Sequence, residues 1–130
     1  PRRRRSCYMA PMDLPFNMTA PRAKLEDGEE IVLSAPGLRR KGWFGNRFGE
    51  LHLTDRRVVF VKAIMKGPVA AVVGAKGARP MLAFDRKGVT AEKVALKKQT
   101  ALQLTGGGVT EKIVMAEAKV DEVLAQLRAS

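Results

Sequence analysis

The chain of 130 residues holds one histidine, His52, and one cysteine, Cys7, so nucleophilic or metal-dependent chemistry would have to be built around these two side chains. His52 stands between Leu51 and Leu53 with no serine, cysteine or paired carboxylate near it in sequence, which predicts a surface or hydrogen-bonded histidine rather than a general base. A zinc centre needs more ligands than Cys7 and His52 supply, and a lone cysteine leaves no internal disulfide. Asp85 and Glu92 are separated by a turn, Arg86 to Val89, and read as rim charges. Gly106-Gly107-Gly108 suggests a phosphate cradle only where a strand runs into a helix; here strand-like residues follow, which predicts a tight turn. No catalytic residues, no cofactor and no metal are expected.

Binding chemistry has two candidates. In the segment 36–46, Arg39, Arg40 and Lys41 stand beside Trp43 and Phe44, with Arg47 just beyond. Cations interleaved with amphipathic rings suit a membrane interface, where each basic residue near an anionic surface gains about 1 kcal/mol. The same mixture suits single-stranded nucleic acid, or rings that cap a core while the cations stay solvated. The second candidate, AIMKGPVAAVVGAKGARP over 63–80, is long and apolar for a loop. Ile64, Met65, Val69, Val72 and Val73 could enter a bilayer with Lys66 and Lys76 at its surface, or the segment could fold back or meet a partner.

These segments hang on strands. Residues 48–62, FGELHLTDRRVVFVK, predict a β-hairpin: Leu51 and Leu53 alternate with Glu50 and His52, Thr54-Asp55-Arg56 makes the turn, and Val58 to Val61 form an apolar run suited to burial on both faces. Similar patterning predicts strands at 31–35, 49–53, 57–62, 81–84, 94–98, 101–105 and 112–116. From Glu117 the period changes to that of a helix, with Val120, Val123, Leu124 and Leu127 in one apolar stripe. Burial of such a stripe, at roughly 1.5 to 3 kcal/mol per side chain, outweighs its charge terms, so it packs into a core or pairs with a second copy.

Gly28-Glu29-Glu30-Ile31-Val32-Leu33, the basic run Arg39-Arg40-Lys41, and Leu53-Thr54-Asp55-Arg56-Arg57-Val58-Val59-Phe60 together resemble the GRAM/pleckstrin-homology-like family in its short bacterial form, over about residues 25–129. The resemblance implies a mainly β fold: a pleckstrin-homology-like seven-stranded antiparallel barrel whose end is plugged by the C-terminal α-helix. It also implies an anion-binding loop before the second strand. The lipid-binding pattern of that family places a further cation at the position held here by Gly49, after Arg47-Phe48. The implied attraction to acidic lipid is therefore nonspecific.

Net charge of +11, from 24 basic and 13 acidic residues, favours an anionic partner, but six basic and one acidic residue fall in 1–24, leaving +6 for the rest. Four of seven prolines also lie in 1–24, which predicts a flexible basic arm, either a surface anchor or an upstream tail, before a single domain at 25–130. Proline and aspartate interrupt any signal-peptide core after Arg2–Arg5, so a cytoplasmic location is expected, with peripheral attachment to the inner membrane face. The expected function is a noncatalytic binding module at anionic membrane lipid. Protein interaction or self-assembly through 63–80 is the alternative, with a homo-oligomer as one form of it, and nonspecific nucleic-acid binding comes third.

Overall fold

In the computed structural model, which describes residues 14–39 and 46–129, the hairpin organises everything else. β3 (Arg47–Thr54) and β4 (Arg57–Lys62) pair antiparallel from Leu53↔Val58 to Gly49↔Lys62. The Thr54 hydroxyl accepts the backbone N–H groups of Arg56 and Arg57 at 3.0 and 2.8 Å and so shapes the turn. Around this pair lie β2 (Ile31–Arg39), β6 (Leu82–Asp85), β7 (Thr90–Leu96), β8 (Gln99–Gly106) and β9 (Val109–Val114). They form one seven-stranded antiparallel sheet in the order β6-β4-β3-β2-β9-β8-β7.

The fold is mainly β with a C-terminal helix, as the patterning predicts, but the expected barrel is not closed. β6 and β7 are the two edges of the sheet and do not pair. The turn between them bonds back on itself, with the Gly88 and Val89 amides donating to the Asp85 carbonyl. Beyond it Phe84 is packed so close to Gly106 that a Cβ there would sit 3.1 Å from the ring. The Phe84 ring turns into the core beside a cleft of about 240 Å³ between Phe84 and Gly106-Gly107.

Helix α2 (Glu117–Arg128) supplies the remaining cover. Its Val120, Val123 and Leu124 are buried with Leu51, Leu53, Phe60, Leu102 and Ile113, and Leu127 packs at the margin. The stripe goes into this chain's own core, where apolar area leaves water most completely. Position 49 has its own constraint: a Cβ there would run into the Val61 carbonyl oxygen and the Phe60 ring, so the site that carries a cation in the lipid-binding pattern admits only glycine here.

Turns and boundaries differ from expectation in ways the backbone explains. Gly107 and Gly108 have φ of 59° and 80° and join β8 to β9 by a two-residue turn, the glycine-turn reading. Lys98, expected at the end of a strand, has φ 62° in the turn between Leu96 and Gln99. β7 begins at Thr90 because an edge strand tolerates the polar residues Glu92 and Lys93 that hide its period.

The largest departure is 63–80, which is not a loop. It contains β5 (Ile64–Met65) and helix α1 (Pro68–Lys76). β5 pairs with β1 (Met18–Thr19), drawn from the stretch expected to be a flexible arm. Ala23, 2 % exposed, then bridges in parallel to Ala78. From Met18 onward the presumed arm is thus tied to the sheet; residues 1–13 lie outside the described part.

Candidate functional site

Two polar clusters and one apolar surface surround the β3–β4 hairpin. At the turn end, the Glu29 carboxylate receives Arg57 Nε at 2.9 Å, Arg57 Nη2 at 2.7 Å, the Thr54 hydroxyl at 2.6 Å and the Glu26 amide at 2.9 Å. The side chain is fully enclosed and every lone pair has a donor. The Arg57 guanidinium holds the Glu29 carboxyl at about 2, against the push of burial in the other direction. Asp55 completes this end: its carboxylate accepts the Glu30 amide at 3.1 Å while its own amide donates to the Glu30 carbonyl. The Gly-Glu and Thr-Asp-Arg-Arg segments are thus two halves of one latch that joins the start of β2 to the hairpin turn. Arg86 adds a strut, donating to the Thr54 and Gln126 carbonyls and so tying the C-terminal turn of α2 to the hairpin.

On the outer face of the same hairpin lies a second cluster. The β2–β3 register sets Ser34 opposite His52, and the Ser34 hydroxyl is 2.7 Å from His52 Nδ1. His52 is 2 % exposed and its Nε2 has no hydrogen-bond partner; Glu50 Oε1 is 3.8 Å away. Burial, with Arg22 nearby, lowers the imidazole to about 4, and burial raises the Glu50 carboxyl. Sequence reading missed Ser34 because cross-strand neighbours 18 residues apart become visible only with the register. The arrangement holds a neutral ring. Neither Ser34 nor His52 lines the pockets between Lys24 and Pro80 or between Asp55 and Leu127.

Over this outer face runs a cover made of 14–24 and 63–80. The Lys66 amide donates to the Asn17 carbonyl, the Ala78 amide to Arg22, and the Lys24 amide to Ala78. Ala23 and Ala78 rest on Val59 and Val61, which explains why β4 is apolar on both faces. The side of the cover turned away from the sheet is apolar and open. Phe16 is 89 % exposed, Val69 71 %, Met65 62 % and Val72 55 %, while Ile64 and Val73 are half-buried and Lys66 and Lys76 exposed. α1 has no buried residue at all.

No family model matches this chain, and no curated protein matches it either.

Of the expected anion-binding residues, Arg40, Lys41, Trp43 and Phe44 lie outside the described residues. Arg39 and Arg47 are cross-strand partners at the base of that hairpin. Their charges are disposed differently. Arg39 is largely enclosed and forms a bidentate pair with Glu111, both contacts 3.0 Å, so its charge serves β9. Arg47 is exposed and donates to the neighbouring Asn46 carbonyl. The two candidate segments leave the sheet together: β3 starts where β4 ends, with Gly49 opposite Lys62 and the Ala63 amide bonded to the Phe48 carbonyl at 2.8 Å. Among the described residues no three His, Cys, Asp or Glu side chains gather as a metal site, and no helix is long and apolar enough to cross a membrane.

Proposed function

We propose that this chain is a noncatalytic binding module of the GRAM/pleckstrin-homology-like kind that attaches peripherally to anionic membrane surfaces. One observation carries the reading. α1 is apolar along its length, buries none of its residues, and sits in a segment that leaves the sheet at the same end as the Arg39–Arg47 hairpin. An exposed apolar helix of this kind costs solubility unless something covers it. Val69, Val72 and Met65 offer bilayer insertion, and Lys62, Lys66, Lys76 and Arg47 offer attraction to headgroups. Sheet topology with a C-terminal helix in the core supports the family reading, and the cytoplasmic face of a membrane is the location it implies.

The neutralisation of Arg39 by Glu111 shifts the expected charge contribution toward Arg47 and the lysines. Glycine at position 49 supports attraction without headgroup selectivity. Cosedimentation with vesicles of about 30 % acidic lipid tests the reading, because binding through this surface requires acidic lipid and weakens with salt. A protein that self-associates through Val69 and Val72 while ignoring vesicles would instead establish the apolar helix as a protein contact.

A further inference from the structure

We propose that His52 is an acid-sensitive latch whose protonation releases the cover formed by residues 14–24 and 63–80 from the outer face of the β3–β4 hairpin. The closed arrangement fits a neutral ring only. Whichever tautomer is present, Nδ1 shares one hydrogen with the Ser34 hydroxyl and Nε2 is left enclosed without a partner. An imidazolium would carry a second N–H into that same space, where Glu50 Oε1 at 3.8 Å is beyond hydrogen-bonding reach. Burial and Arg22 oppose the charge, and the Glu50 carboxylate at 3.8 Å favours it without a hydrogen bond. Glu50 of β3 and Arg22 of the cover are the charged groups set against the ring; β2 contributes the neutral Ser34 and β4 the apolar Val59.

The cover is also weakly held. Its contacts with the sheet are few: Ala23 and Ala78 on Val59 and Val61, the buried Ala63 with its amide donating to the Phe48 carbonyl, and Arg57 Nη2 donating to the Lys24 carbonyl. Small residues bury little area, so opening here costs far less than global unfolding. Once open, the ring meets water and regains its ordinary basicity.

The sign follows from linkage. The ring titrates at about 4 when closed and at 6.5 when exposed, so the closed state is fully favoured above 6.5 and loses ground as pH falls toward 4. Between pH 7.5 and 5 the opening equilibrium should rise about 30-fold. Hydrogen exchange on the full chain, corrected for intrinsic rates, reads this at the Lys24 and Ala78 amides, which join the two segments of the cover to each other above Val59 and Val61 and lose that shelter when it lifts.

The expected result is a loss of protection of that size at these two amides, with the β8–β9 ladder unchanged, and no such loss in His52→Gln. As the chain has a single histidine, its imidazole resonance also reports directly, and should titrate well below 6.5. Equal protection at both pH values would overturn the proposal, as would the same loss in His52→Gln. An imidazole titrating at or above 6.5 would overturn it too, since the ring would then be charging in place against Glu50; this measurement on the wild type decides alone if the variant does not fold.

Discussion

Two buried polar clusters share one hairpin and are built to opposite rules. Glu29, Thr54 and Arg57 form a closed set in which each carboxylate oxygen meets donors at 2.6 to 2.9 Å. Ser34, His52 and Glu50 form an incomplete one, with a single short contact and an orphaned ring nitrogen. A satisfied network in a low-dielectric interior rigidifies, whereas a partly satisfied one stores a penalty that opening relieves. The hairpin is thereby locked at its turn, and on its outer face it carries a cover whose own outward surface is apolar. Stability is concentrated at one and exposed apolar surface at the other.

Removing the carboxylate of the locked cluster should have the largest effect. Glu29→Ala leaves Arg57 without its buried partner and should lower stability by about 3 to 5 kcal/mol in denaturant unfolding. Because Glu29 titrates at about 2 in the fold and 4.5 otherwise, its contribution is complete above 4.5 and is lost as pH falls toward 2. The variant should lack that part of the acid transition. A loss below 1 kcal/mol would place the cluster among ordinary surface pairs.

Leu124→Ala follows, at about 3 kcal/mol, because Leu124 is 6 % exposed among Leu51, Phe60 and Ile113 and its removal opens a cavity. A near-neutral result would mean that α2 is not part of the core. The second polar cluster should respond with the opposite sign. Replacing both partners, as in Ser34→Ala with His52→Leu, removes an unsatisfied buried group and should be neutral or stabilising by about 1 kcal/mol. Destabilisation as large as that of Glu29→Ala would erase the contrast between the two clusters.

How much of this was legible in the sequence depends on whether each element faces water and apolar core in a regular alternation. The hairpin alternates polar and apolar residues over Glu50–Leu53 and α2 repeats Val120, Val123, Leu124 and Leu127, so both could be read directly, although His52 is buried and not on a wet face. The latch residues were visible as a Gly-Glu and Thr-Asp-Arg-Arg pattern, but their ion pair spans 28 positions and its geometry needs the β2–β3 register. α1 escaped because a helix that is apolar nearly all round and buries none of its residues has no stripe to show a period. Residues 18–24 escaped for a related reason: their pairing with β5 and with Ala78 uses backbone groups, and proline-rich composition hides it. Arg39 was correctly seen as basic, yet its neutraliser, Glu111, lies 72 positions away.

The exposed surface should barely register in stability, and this makes it the most direct test of function. Val69→Asp with Val72→Asp changes two residues that are 71 % and 55 % exposed, so unfolding should shift by less than about 0.5 kcal/mol. Vesicle cosedimentation of this variant beside the wild type, on about 30 % acidic lipid at low and at high salt, then reads binding alone. The account predicts that the wild type binds and is weakened by salt, and that the variant loses binding at both ionic strengths because apolar burial is not screened. Equal binding by the two proteins, or no binding by the wild type, would contradict it.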